Sequence, residues 1–220
     1  KGKLPTNTNE ATNENDAKAW TDTKASTKLT ADEIASIKKD SFIEWNKDAI
    51  ISLIEYTDPE CPFCIRQTRS GVIEKMKEKY GEKINNTLKP FKAVPHKNAD
   101  AESIAALCAG KVGGVEAYSK YYHALFTKNS GSNDGEGIKL DQLAPIAKES
   151  GVDLAKFQAC YDAKETQGIY EAYTAEGTKL WVTGTPGTIV LNNKTGDYTL
   201  IAGAYPEEEF VKQIEAMLAK

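Results

Sequence analysis

A nearly unbroken apolar run, Ile50-Ile-Ser-Leu-Ile-Glu-Tyr56, is followed five residues later by two cysteines in the arrangement Cys61-Pro62-Phe63-Cys64. This junction constrains the fold more than any other stretch. The run is too short for a long helix and rich in β-branched residues, and it lacks the alternation of a half-exposed strand. It therefore predicts a strand buried on both faces. Thr57-Asp58-Pro59 is a turn signal. Beyond it, Ile65, Val72, Ile73 and Met76 read as one face of a long helix that opens at Cys61 and stops before Gly81. A buried strand that feeds directly into a helix belongs to an α/β sheet.

By itself Cys-x-x-Cys has three readings: half of a zinc site, a redox pair, or coincidence. Zinc needs about four ligands. The remaining candidates, Cys108, Cys160, His96 and His123, form neither a second Cys-x-x-Cys nor a close histidine pair, so no metal is expected. The setting favours redox chemistry. At a helix N-terminus the unsatisfied N–H groups and the helix dipole stabilise an anion, and so lower the pKa of Cys61. Pro62 fits the first turn, where its missing N–H has no helical partner to lose. Cys64, one turn on, is expected to be the less exposed sulfur. Cys61 would exchange with a substrate, and Cys64 would resolve the mixed disulfide. Glu60, next to Cys61, is expected to oppose thiolate formation by its charge.

The rest of the chain surrounds this junction with further α/β elements. Residues 1–28 are rich in Thr, Asn, Lys and Glu, with Leu4 and Trp20 their only large apolar residues. Such a segment buries too little to offset its ordering entropy, and reads as a flexible tether; the alternative is an arm docked through Trp20. Thr30-Ala-Asp-Glu33 is a capping box for a helix through Lys39. Phe42–Trp45 and Leu88–Val94 read as strands. From Ala99 to about Val182 the pattern is helical, with a polar loop at Ser130–Gly137 and Asp153 as a helix cap. Gly187–Asn192 and Tyr198–Ala202 form a hairpin, and Pro206 opens a last helix. The order β-α-β, helical block, β-β-α divides the chain into a first core part at 29–98, an inserted helical subdomain at 99–180 and a second core part at 181–220. Lys plus Arg is 28 and Asp plus Glu is 32, a net charge of −4, which gives no footprint for nucleic acid and no polybasic membrane patch. No apolar run approaches the roughly 20 residues of a spanning helix. The chain begins at Lys1, which reads as a processed or trimmed chain whose targeting segment is gone.

Glu55–Cys64, read as Glu-Tyr-Thr-Asp-Pro-Glu-Cys-Pro-Phe-Cys, resembles the active-site segment of bacterial DsbA-like thioredoxin-fold proteins. Further features fit in order: Pro95-His96 before Asn98-Ala99, Ala105-Ala-Leu-Cys108-Ala, Phe157-Gln-Ala-Cys160, and Val182-Thr-Gly-Thr185-Pro186. The similarity spans roughly residues 42–218. It implies a thioredoxin-like fold, a central mixed sheet flanked by helices, with an inserted α-helical subdomain. It also implies extracytoplasmic disulfide chemistry with no cofactor beyond the Cys61–Cys64 pair. Cysteine-containing secreted proteins would be the substrates, and a membrane or soluble redox partner would complete the cycle. Thr185-Pro186 resembles the family's cis-proline loop, which would face the cysteines and, with Pro62 and Phe63, hold an extended substrate segment. Glu55 matches the family's buried acid, which would have a raised pKa and shuttle a proton for Cys64; the alternative is an edge glutamate facing solvent. Cys108 and Cys160 match cysteines that would form a structural disulfide; otherwise they are free and buried. His123 reads as a core histidine, and His96 as a loop residue near the active-site face. Trp181 and Gly187 depart from the family pattern, which commonly has a small residue and a threonine there. The reductase or isomerase direction and a non-catalytic chaperone or surface-binding role remain as alternatives. Residues 1–40 are too polar for the N-terminal dimerisation domain of isomerase-like relatives, which ranks an isomerase below an oxidase, and a monomer is expected.

Overall fold

The computed structural model describes residues 27–129 and 137–220. Its spine is β3 (Ile51–Thr57), buried at every residue as the apolar run requires. β3 pairs in parallel with β4 (Ile84–Pro90) and antiparallel with β5 (Gly187–Asn192). Outside these lie β6 (Asp197–Ala202), the short β1 (Thr27–Lys28) and the short β2 (Glu44–Trp45). The six strands run β1-β6-β5-β3-β4-β2, a mixed sheet. Because side chains alternate along β3, its two faces feed different cores. Ile51 and Leu53 pack with Val190 and Ile201 under α3 (Val72–Tyr80) and α8 (Glu207–Leu218). Ile54 and Tyr56 pack with Ile189, Leu191 and Phe91 against Ile37 of α1 (Ala31–Lys38).

The helical subdomain comprises α4 (Ala99–Lys128), α5 (Leu143–Glu149), α6 (Leu154–Asp162) and α7 (Gln167–Lys179). Its aromatic core of Tyr118, Tyr121, Tyr122, Phe126 and Phe157 also takes in Cys61, Cys64 and Ile65. A disulfide joins Cys108 on α4 to Cys160 on α6, with a sequence separation of 52. α4 departs from helical geometry at Gly114 (φ 79°). This break accounts for the change of apolar face between Val112 and Ala117. None of the helices among the described residues is long and apolar enough to cross a membrane.

Three local expectations need correction. The helix opening at Cys61 is two helices, α2 (Pro62–Ser70) and α3, separated by Gly71 in the left-handed region (φ 66°). Ile65 therefore packs with the insertion while Val72, Ile73 and Met76 pack under the sheet. β4 begins at Ile84 and ends at Pro90, four residues earlier at each end than the expected Leu88–Val94. Its first half, Asn85-Asn86-Thr87, is polar yet buried. The Asn85 amide donates to the Asn46 carbonyl and the Asn86 amide to Glu44 Oε2, so the cost of burial is offset by hydrogen bonds. Lys89 in the same strand is fully buried, donating to Ile37 O and the Glu176 carboxylate. Thr27 and Lys28, assigned to the tether, pair with Tyr198 and Asp197 as an edge strand. The remainder of the tether, Trp20 included, lies outside the described residues, as does the expected loop at 130–137 apart from Gly137.

Candidate active site

The turn after β3 delivers Cys61 to the N-cap of α2, and Pro62 takes the first helical position. No side chain caps this end, so its free N–H groups are available to the sulfur. Both cysteines are free thiols. Cys61 is 5% exposed and Cys64 1%, so Cys64 is the more deeply shielded of two buried sulfurs. The Thr185–Pro186 peptide bond is cis, and the Cys61 thiol donates to the Thr185 carbonyl at 3.3 Å. That contact belongs to the protonated form. As a thiolate, Cys61 accepts a hydrogen bond from the Cys64 thiol, which outweighs the cost of burial. Thr185 and the backbone N–H groups of Cys64 and Phe63 add to this, and the Cys61 pKa falls to about 6. Burial, the hydrogen bond to Cys61 and its charge push Cys64 far in the opposite direction. One sulfur is thus a stable anion near neutral pH, and its neighbour is its proton-bearing partner.

Beneath the turn lies a polar cluster that linear reading did not assemble. The buried Asp58 carboxylate accepts the Glu60 N–H through Oδ1 and contacts His96 Nδ1 through Oδ2, both at 2.8 Å. The Asp58 carbonyl accepts the Cys61 N–H at 3.2 Å. Glu60 Oε2 accepts the N–H groups of Asn98 and Ala99, at 2.9 Å each. The expected opposition of Glu60 to the Cys61 thiolate is therefore tempered, because its charge faces the positive end of α4. Glu102, one turn into α4, binds the Asn129 amide and the Ile138 N–H. Burial, with repulsion from Glu60, raises its pKa to about 7 against the pull of the Asn129 bond. The signal for the Asp58–His96 pair is a contact between residues 38 apart, which neither periodicity nor a short motif reports.

Glu55 is buried on β3, not exposed at an edge, and burial raises its pKa to about 7 against hydrogen bonds from Gln67 and Asn86. Its Oε2 accepts the Gln67 amide at 2.8 Å. Gln67 sits on α2 one turn beyond Cys64, so Glu55 is tied to the helix that carries the cysteines. His123 is half-buried and lines a small cleft with Glu55, Glu44 and Trp45, so it is not a core histidine. Cys108 and Cys160 are committed to their disulfide and cannot complete a zinc site with Cys61 and Cys64. Among the described residues no three His, Cys, Asp or Glu side chains form a metal cluster.

An open cavity of about 470 Å³ flanks the cysteines. Phe63, half-exposed, stands at one side, and Val182 to Gly187 line the base. Leu200 and Ala202 to Pro206 form the far wall, and the lining is predominantly apolar. Arg66 is the single charged side chain in the lining. Its guanidinium lies 4.9 Å from the centre of the Phe63 ring and donates to the Ala204 carbonyl, pinning α2 to the loop before α8. Trp181 lies outside this groove. It occupies the left-handed cap of α7 (φ 68°), with its N–H bonded to Thr178 O and that of Val182 to Gly177 O.

A mixed sheet with an inserted helical subdomain, and a Cys-x-x-Cys helix facing a cis-proline loop, define a DsbA-like thioredoxin fold. The thioredoxin family model matches residues 38–216, and the chain belongs to that family. BdbD from Bacillus subtilis in its oxidised form superposes with a TM-score of 0.72 at 18% identity, covering 89% of this chain and 98% of that one. Alpha-DsbA1 from Wolbachia pipientis superposes at 0.68 and 21% identity, over 82% and 92% of the two chains. A periplasmic thioredoxin-like protein from Salmonella enterica serovar Typhimurium does so at 0.61 and 18%, over 88% and 100%. No curated protein sequence matches the chain.

Proposed function

We propose that the protein is an extracytoplasmic thiol–disulfide oxidoreductase that oxidises dithiols in secreted proteins. The observation that carries this reading is the polarisation of the cysteine pair. Cys61 is a low-pKa sulfur stabilised by the Cys64 thiol, beside Thr185 at the edge of an apolar groove, while Cys64 is sealed behind it with a raised pKa.

In the oxidised protein a substrate thiolate attacks Cys61 Sγ. The S–S bond to Cys64 breaks, and Cys64 leaves with the electron pair and takes up a proton. Glu55, buried and linked through Gln67 to this helix face, is the group proposed to supply that proton. The substrate's second thiolate then attacks its own sulfur in the mixed disulfide and expels Cys61, whose low pKa makes it a good leaving group. Two electrons pass from substrate to protein. Two substrate thiols lose two protons, Cys64 keeps one, and one is released. The groove favours an extended, apolar stretch of unfolded chain beside the reacting cysteine, with backbone bonds available at Thr185. A membrane or soluble partner would reoxidise the pair. The polarised pair lowers the energy of the reduced form, which is the property of a disulfide donor.

Titrating the Cys61–Cys64 equilibrium against glutathione buffers, alongside oxidation of a reduced peptide, tests the reading. A potential well above about −270 mV, with peptide oxidation lost in Cys61→Ser, is expected. A potential near or below that value would identify a reductase or a structural disulfide. Activity that survives Cys61→Ser would overturn the thiol mechanism.

A further inference from the structure

The turn that presents Cys61 is organised by one side chain. Asp58 binds the Glu60 N–H with one carboxylate oxygen and His96 with the other, and its carbonyl holds the Cys61 N–H. His96 arrives from a different part of the chain, the loop between β4 and α4, where its N–H is fixed to Val94 O. The Asp58 carboxylate is 3% exposed and the imidazole 23%, so the histidine exchanges protons with solvent and the aspartate does not do so directly. A buried carboxylate at the foot of a catalytic turn needs a counter-charge, and His96 is placed to be it.

We propose that Asp58 and His96 form a positioning pair for Cys61, in which Asp58 fixes the turn and protonated His96 both neutralises Asp58 and lends positive charge to the Cys61 thiolate. This rests on the thiol chemistry proposed above. The charges around the imidazole agree with it. Burial alone would lower the His96 pKa, but the bond to Asp58 and the charges of Asp58, Cys61 and Glu60 overcome this and raise it. From α4, Glu102 and the Tyr122 phenol lie within electrostatic range of Asp58, and from α7 the Tyr170 phenol does. Of these only Glu102 titrates near neutrality, at about 7. Its ionisation adds negative charge within range of Asp58 and Glu60. Oxidation removes the thiolate and one of the charges that hold the proton on His96. The pair thereby couples proton binding at His96 to the redox state of the cysteines.

Linkage makes the coupling readable from both ends. The C–H signals of His96 and His123, the two histidines of the chain, can be followed by NMR against pH in the reduced and oxidised protein, with His123→Gln assigning them. His96 is expected to titrate at higher pH in the reduced protein, and Cys61→Ser is expected to behave like the oxidised one. Coincident reduced and oxidised His96 curves would overturn the proposal, and this comparison needs no variant at His96. From the other end, His96→Gln still donates to Asp58 but carries no charge. Its Cys61 thiolate fraction at pH 6, read by absorbance at 240 nm, is expected to fall about threefold. An unchanged absorbance titration in folded His96→Gln would leave His96 as scaffolding only and sink the pair. Neither readout uses turnover. Shifted titrations in a protein that exchanges no disulfides would overturn the function proposed above and leave the pair standing.

Discussion

Cys61, with a pKa of about 6, departs from the roughly 8.5 of an unperturbed cysteine. A folded value below the unfolded one stabilises the reduced protein fully above pH 8.5, and this is lost as pH falls through 6. The amount is about 3 kcal/mol. Cys64, raised in the fold, acts in the opposite sense only as pH climbs above its unfolded value. Melting curves of reduced and oxidised protein from pH 5 to 8.5 should show the reduced form gaining steadily; a constant difference would contradict the thiolate assignment. Glu55, at about 7, runs the other way. Its folded value is raised, so its stability contribution is complete below about pH 4.3 and is lost as pH rises through 7. Glu55→Gln should match the parent near pH 4 and exceed it by about 1–3 kcal/mol at pH 8 in urea unfolding. At this scale the cysteines and Thr185-Pro186 were legible in the sequence, the first by position after a buried strand, the second only through family resemblance. The Asp58–His96 and Glu60–α4 contacts were not, because they join segments brought together by the parallel β3–β4 crossover.

Elements announced themselves when local pattern and burial agreed. β3, the capping box of α1 and the β5–β6 hairpin were legible because composition, turn residues and periodicity point the same way. β4 was misplaced because Asn85-Asn86-Thr87 reads as loop, and only the neighbouring strands and the bonds to Asn46 and Glu44 make it a buried strand. The break between α2 and α3 was missed because Gly71 in a helical pattern does not declare its left-handed φ. The reverse case is Trp181. Three helices of the insertion end in the same capping arrangement, with Gly151, Lys164 and Trp181 in the left-handed position. Only glycine is at ease there. Trp181 is 53% exposed, so Trp181→Gly trades the contacts of the buried half of the indole for relief of the left-handed backbone. It should raise stability by about 1 kcal/mol in thermal unfolding. A drop would show that the indole has a packing role outweighing its backbone cost.

On the scale of the whole molecule, the insertion is held together by the Cys108–Cys160 disulfide and joined to the core at the turn that carries Cys61. Replacing both cysteines by serine should cost about 4 kcal/mol of unfolding free energy, from the entropy of a long loop; a variant that unfolds at the parent's denaturant midpoint would contradict this. Glu60 hands the turn to the first N–H groups of α4, and Cys61, Cys64 and Ile65 share one apolar cluster with Tyr118 and Tyr122 of the insertion. Cys61 therefore stands on a seam, with the sheet on one bank and the helical subdomain on the other. A chain pared back to a minimal sheet and its flanking helices would keep the Cys-Pro-Phe-Cys letters and lose the ground beneath them. Exchanging the insertion for that of a relative would likewise change the surroundings of the cysteines along with the shape of the surface.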